Sequence, residues 1–302
     1  MSFATDVCEE LIALPMSKNC CKKALLYGLF WHASVCENNI KSVFRTSHSA
    51  EFAVFILASR YPATEQSAQI EETVRAGRHY FTVSAECPSL CTGFAAVDSS
   101  DKRPIWELLG FRCGNCRASF LRGAFIAAAA VNDPHKSYHL EFSLSKDKER
   151  RIERLCDVLS IAVSEPRRIE RANGIGLYYK TNGAISDLLY YIGATKSSFE
   201  VTNTWVERDI RNNENRATNC VARNISRSVV ASQKHISAIE RLREAGKLDL
   251  LPDELRITAQ LRTEYDSASL SELALLHEPP ISKSGLNQRL SRILSVAEEL
   301  DQ

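Results

Sequence analysis

Cys116–Val131 reads CRASFLRGAFIAAAAV, and the fold turns on the fact that this stretch has a twin. Earlier in the chain Cys21–Val35 reads CKKALLYGLFWHASV. Laid over each other, Cys116 falls on Cys21, Leu121 on Leu26, Gly123 on Gly28, Phe125 on Phe30 and Ala128 on Ala33. Both are apolar runs of helical length, too short and, at Arg122, too interrupted to cross a bilayer. Small residues recur at i, i+4: Ser119, Gly123 and Ala127 in one, Ala24 and Gly28 in the other, with His32 a poorer third. A glycine inside a helix costs about 1 kcal/mol relative to alanine, so it wants a packing reason. Two helices crossing with their backbones in near contact supply that reason, because a larger side chain would hold them apart. Gly28 and Gly123 are therefore expected at the contact of a structural helix pair.

What surrounds the twins also repeats. Ser2 to Leu14 has Phe3, Val7, Leu11 and Leu14 on one side and predicts a short amphipathic helix. After the first glycine helix, Ile40 to Arg45 alternates as a strand. Ala50 to Ala58 is helical, with Phe52, Phe55, Ile56 and Leu57 for the core. Gln69 to Val74 and His79 to Val83 read as a strand pair joined at Ala76-Gly77. After the second glycine helix, Tyr138 to Leu144 alternates, Lys146 to Ile161 is a charged amphipathic helix, and Arg167 to Arg171 pairs with Gly176 to Thr181 around Asn173-Gly174. Ile185 to Ile192 closes the second half as a helix. Cys87 to Phe111, rich in proline, glycine and serine, is expected to be an irregular connection.

Past Val201 the composition changes. Arg208, Arg211, Arg216, Arg223 and Arg227 stand among asparagines and few acids, a basic segment open to two readings: contact with phosphates, or satisfaction of carbonyls and carboxylates between domains. Helices follow over Val230 to Gly246, after Pro252 through Leu261, and from a capping box at Ser269-Leu270-Ser271-Glu272. Glu278-Pro279-Pro280 stops the chain, Ser282 can cap, and Lys283 to Leu294 forms one more helix. On it Leu286, Leu290 and Ile293 share an inward stripe. Ser284, Gln288, Ser291 and Arg292 point away, flanked by Asn287, Lys283 and Arg289, a set with amides and donors but no acid. Such groups pair with base edges and phosphates, so Lys283, Ser284, Asn287, Gln288, Arg289 and Arg292, together with Arg208, Arg211, Arg216 and Arg223, are the expected DNA-binding residues. The turn before this helix is longer than the usual three or four residues.

The fold class is thus α+β for a two-repeat domain, followed by an all-α helix-turn-helix domain. The expected divisions are 1–84 and 113–205 for the two halves, 85–112 and 206–232 for connecting segments, and 233–302 for the helical domain. With 44% hydrophobic and 25% charged residues the composition is that of an ordinary globular protein. A net charge of +1 leaves any basic surface local. Met1 to Pro15 carries Asp6, Glu9 and Glu10 where a signal peptide would be basic and then apolar, so a reducing cytoplasm is expected for the ten cysteines. Cys87 and Cys91, with Cys113 and Cys116, would suit a four-cysteine zinc site by number. Cys116, however, opens a glycine helix whose counterpart Cys21 has no such partners, and the reading assigns neither metal nor cofactor. No paired catalytic carboxylates, phosphate-binding glycine loop or nucleophile elbow is present.

The repeated glycine helix resembles the paired helices of LAGLIDADG homing endonucleases. The resemblance implies that each helix should end in a metal-binding acid, and those positions fall on Ala33 and Ala128. Alanine offers no oxygen to hold Mg²⁺, so the scaffold is expected without the cleavage chemistry. Over nearly the full length the chain is similar to the WhiA family. The carrying stretches are MSFATDVCEEL, FLRGAFIAAAAVNDPHKSYHLEF, RDIRNNENRATNCVARN and ISKSGLNQRL. What the resemblance implies is a non-enzymatic, sequence-specific regulator of transcription tied to cell division, chromosome segregation or sporulation; the rival readings are an active metal-dependent endonuclease using acids outside the motif and a protein-interaction scaffold. The regulator's expected partners are double-stranded DNA and other transcription regulators, with no membrane, and its expected place is the cytoplasm at the nucleoid.

Overall fold

The computed structural model describes residues 2–16, 18–172 and 174–299, so Asn173 of the expected turn lies outside them. The described chain divides into two units, residues 1–208 and 209–302, and the division falls inside one long helix.

The first unit opens with α1 (Phe3–Ala13), whose N-terminus is capped by the Ser2 side chain and whose Phe3, Val7 and Leu11 are buried. Next come α2 (Asn19–Leu29), β1 (Ser34–Cys36), β2 (Asn39–Phe44), α3 (Ser47–Arg60), β3 (Gln69–Arg75) and β4 (Arg78–Glu86). The connection holds α4 (Pro88–Asp98) and α5 (Ile105–Leu108). The order then repeats with α6 (Asn115–Ala128), β5 (Ala129–Val131), β6 (Leu140–Leu144), α7 (Glu149–Ala162), β7 (Arg167–Arg171), β8 (Gly174–Tyr179) and α8 (Asn182–Ile192). Each half builds a four-stranded antiparallel sheet of the same order, β1-β2-β4-β3 and β5-β6-β8-β7. Alternation sets their faces: Ile40, Ser42 and Phe44 of β2, and Leu140, Phe142 and Leu144 of β6, are buried.

Helices α2 and α6 cross at the two glycines. A Cβ at Gly28 would lie 2.0 Å from the Phe120 carbonyl oxygen and 2.7 Å from the Ala124 nitrogen. One at Gly123 would lie 2.2 Å from the Leu25 carbonyl and 2.7 Å from the Leu29 nitrogen. The intruding neighbours are backbone and cannot swing away, so only glycine permits this separation. The contact inferred from the repeat is the contact observed.

Three expectations are corrected. Residues 87–111 are not irregular: Pro88 sits in the first turn of α4, where its missing N–H costs nothing. Leu90, Cys91, Phe94 and Val97 of that helix are buried, and Gly93 lets the Tyr27 hydroxyl approach to within 1.9 Å of where a Cβ would be. Phe55, placed in the core by sequence, is 67% exposed, because α3 buries the stripe of Ala50, Ala53, Ile56 and Leu57 instead. The helix expected from Val230 begins far earlier: the basic segment is part of α9 (Thr195–Glu244), a helix of 50 residues. From Trp205 to Val230 every residue of it but Arg208 is exposed, so no buried stripe reveals its period.

The second unit holds the end of α9, then α10 (Asp253–Glu264), α11 (Leu270–Leu275) and α12 (Lys283–Glu298). Ala238, Ile239 and Leu242 of α9 pack with Leu255, Leu273, Leu286, Leu290 and Ile293 in a core of their own. The expected capping box forms: Glu272 N–H donates to the Ser269 hydroxyl, and Ser269 N–H donates to the Glu272 carboxylate at 2.8 Å. No helix among the described residues is long and apolar enough to cross a membrane.

Candidate nucleic-acid interface

Helix α12 owes its orientation to its apolar stripe and to the way its entry is fixed. The Ser282 hydroxyl accepts from Gly285 N–H at 3.1 Å, and Ile281 N–H closes the preceding turn on the Ala274 carbonyl at 3.1 Å. Beneath the turn, buried His277 ties α10 to α11. Its Nδ1 lies 3.0 Å from the Leu273 carbonyl, which can only accept, so Nδ1 donates there. Its Nε2 lies 3.0 Å from the Thr258 hydroxyl, which donates to the Glu254 carbonyl at 2.8 Å. Arg262, also buried, donates to the carbonyls of Ala268, Tyr265 and Asp266 and holds the loop before α11. The seven residues between α11 and α12 are thus held by the Ile281 backbone bond and by His277.

With Leu286, Leu290, Ile293 and Ala297 buried, α12 presents Lys283, Ser284, Asn287, Gln288, Ser291 and Arg292 to solvent. No acid occurs on it before Glu298. Two of the outward hydroxyls are engaged locally, Ser284 with Ser282 and Ser291 with the Asn287 carbonyl. Arg289 stands apart from the rest, since it is three-quarters covered and pairs with Glu254 of α10 at 2.9 Å. That pair fixes α12 on α10, a role the sequence does not reveal.

The basic residues of α9 divide likewise. Arg208 belongs to the first unit, donating to the His135 carbonyl with its guanidinium 5.3 Å from the Tyr138 ring. At 3.6 residues per turn Arg216, Arg223 and Arg227 fall within about 40° of one another, and Lys234 joins them. No acid lies between Glu214 and Glu240. Lys234 was missed because the stripe shows only once the segment is known to be one helix. Arg211 is exposed but off this line.

In the first unit, the ends of α2 and α6 are where the endonuclease resemblance would place two acids. Ala33 is buried and Ala128 is half-buried. Cations surround them. Arg151 of α7 donates to the carbonyls of Trp31 and Ala33, at 3.2 and 2.8 Å, and Lys148 donates to the His32 carbonyl at 2.8 Å. Arg45 reaches the Ala129 carbonyl at 3.4 Å. Burial, then the neighbouring Lys148, Arg151 and Arg45, holds the His32 imidazole down at about 4, and it contacts the Val43 carbonyl as a neutral ring. The adjacent acid, Asp98, is gripped by Arg151 at 2.6 Å.

Two family models match parts of the chain. The "WhiA LAGLIDADG-like domain" matches residues 117–211, and the "WhiA C-terminal HTH domain" matches residues 215–297. The "Probable cell division protein WhiA" of Caldicellulosiruptor saccharolyticus is 31% identical over 316 residues, covering 99% of this chain and 96% of the relative. That of Alkaliphilus metalliredigens is 31% identical over 314 residues, covering 99% and 98%. The chain belongs to the WhiA family. A crystal structure of full-length WhiA from Thermatoga maritima superimposes with a TM-score of 0.60 at 23% identity, covering 99% of each chain, and shows the same fold. This WhiA relative therefore joins a degenerate LAGLIDADG-like domain to a helix-turn-helix domain, as the repeat and the final helix lead one to expect.

Proposed function

We propose that this protein is a sequence-specific DNA-binding regulator of transcription, acting at the nucleoid on genes of cell division, chromosome segregation or sporulation. The observation that carries this reading is α12: a helix whose outward face offers Lys283, Asn287, Gln288 and Arg292 with no acid among them, on a second unit where His277 ties α10 to α11 and Arg262 holds the loop between them. Asparagine and glutamine suit adenine, arginine suits guanine, and the α9 stripe of Arg216, Arg223 and Arg227 suits phosphates. The names of the relatives speak for the link to cell division.

The same reading makes the protein a non-enzyme. A two-metal or one-metal nuclease needs carboxylate oxygens at the ends of α2 and α6. Alanines stand there, and Arg45, Lys148 and Arg151 fill the surroundings with positive charge that repels a divalent cation.

Selection from a random duplex pool with the full chain tests both statements. Wild type should enrich a motif, with binding that weakens as salt rises. Gln288→Ala and Arg292→Ala should each cost about 1–3 kcal/mol on that motif and less on other DNA. Arg216→Ala should weaken all sequences alike and flatten the salt slope by about one unit. In Mg²⁺ or Mn²⁺ the duplex should stay intact. Absence of any enriched motif, or metal-dependent cleavage lost on mutating a nearby carboxylate, overturns the reading.

A further inference from the structure

The fold gathers four cysteines that the sequence does not group. Cys20 and Cys21 lie in the first turn of α2; Cys113 precedes α6 and Cys116 lies in its first turn. Because the two helices run side by side in the same direction, their N-termini meet. The four Sγ atoms all lie within 4.8 Å of one another. Cys113 Sγ stands 3.7 Å from Cys20 Sγ, 3.4 Å from Cys21 Sγ and 3.5 Å from Cys116 Sγ. Cys87 and Cys91, which the sequence offered as partners of Cys113 and Cys116, are buried at and within α4 and are not part of this group.

We infer that Cys20, Cys21, Cys113 and Cys116 form a tetrahedral four-thiolate site for one zinc ion, which fastens the two halves of the LAGLIDADG-like domain together at the N-termini of their paired helices. Four thiolates around one ion at about 2.3 Å stand about 3.8 Å apart, close to the spacing found. All four mutually close sulfurs suit a single ion, whereas an iron–sulfur cluster spreads its four cysteines over two or more irons. Two ligands come from each half, so the ion would bridge segments far apart in sequence. The repeat itself accounts for only Cys21 and Cys116. Their neighbours Cys20 and Cys113 have Asn115 and Lys18 as counterparts, so two of the four thiols stand outside the symmetry of the paired helices. The location also suits thiolates. The thiols sit at two helix N-termini, whose positive dipole ends favour thiolates. Cys21 and Cys116 are buried while Cys20 and Cys113 are partly covered, as a closed structural site requires.

The test uses the full chain purified with a reductant and no chelator. Elemental analysis should find about one zinc per chain, released when an organomercurial titrates the thiols. Cys113→Ser and Cys116→Ser should reduce zinc to background, whereas Cys87→Ser and Cys91→Ser should retain it. Wild type stripped by a strong chelator should melt earlier and, titrated with Co²⁺, should develop the thiolate-to-metal bands of a tetrahedral site. This arm holds even where a serine variant does not fold. Three outcomes overturn the inference. One is a reduced, metal-free wild type that takes up neither Zn²⁺ nor Co²⁺. Another is a Cys113–Cys116 disulfide in metal-free protein, which would make the pair a redox couple. The third is zinc that survives Cys113→Ser; iron at the same stoichiometry would overturn the choice of metal.

Discussion

The two halves of the first unit share one plan and differ in what they do with its outward positions. Their sheets have the same order, and the inward residues of β2 and β6 are buried in both. Facing outward, β2 carries exposed Lys41, while β6 carries Glu141. Glu141 is 7% exposed and lies across Gly176 of β8, where it receives Arg171 of β7, the Ser143 hydroxyl at 2.7 Å and His139 at 3.1 Å. The helix ends differ too: α2 is closed by Arg151 and Lys148, while Arg45 reaches the end of α6 at long range. Positions that set the distance between backbones admit few residues, whereas positions that only face outward admit many. A scaffold can therefore persist while the acids of a cleavage site are replaced.

The sharpest way to break this comparison is at the crossing, where both halves meet the same constraint. Gly123→Val and Gly28→Val should each unfold the first unit or destabilise it by about 3 kcal/mol or more, since a Cβ there meets backbone at 2.0–2.2 Å. The two should behave alike. A denaturation midpoint equal to wild type for either would show that the helices can part without cost, and the symmetry of the crossing would be lost.

That crossing was legible in sequence because glycine at matched positions in an apolar helix has one economical explanation. The strands were legible by alternation, and the capping box by its spacing. Helix α4 was hidden because Pro88 and Gly93 read as breakers, although one sits at a helix start and the other makes room for Tyr27. The middle of α9 was hidden because it buries nothing. On the α12 face, periodicity separated Gln288 and Arg292 from the core, but nothing local shows that Arg289 is bound to Glu254. The cysteine group was hidden for a related reason. Its members are neighbours only through the packing of α2 on α6, and spacing along the chain paired Cys113 and Cys116 with the wrong partners.

A smaller effect should separate the two helix ends. Arg151 is buried, donates to two carbonyls at the end of α2, pairs with Asp98 and lies 4.4 Å from the Phe94 ring centre. Arg151→Met keeps the length and removes every donor, so it should cost about 3 kcal/mol. Arg45 is exposed, and its single bond to Ala129 is long. Arg45→Met should cost less than about 1 kcal/mol. Urea unfolding of both variants measures the difference, and equal losses would mean that the end of α2 is no better secured than that of α6.

The outward strand positions give the smallest effect, and one that depends on pH. Hydrogen bonding to Arg171, then to Ser143 and His139, holds the Glu141 carboxyl at about 2, well below its ordinary value of 4.5. A carboxyl lowered on folding adds stability that is complete above the unfolded value and disappears as pH falls through the folded one. Wild type should therefore exceed Glu141→Gln by about 1–3 kcal/mol at neutral pH. The gap should begin to close below pH 4.5 and be gone near pH 2. Lys41→Gln, at the corresponding outward position of β2, should stay within about 0.5 kcal/mol of wild type across the same range. Urea midpoints for the three proteins between neutral pH and pH 3 read this directly. A Glu141→Gln gap that does not narrow as acid is added would mean that the Arg171 pair contributes shape rather than charge. In that case β2 and β6 would differ in packing, and the divergence of the two halves would have to be sought inside the sheets.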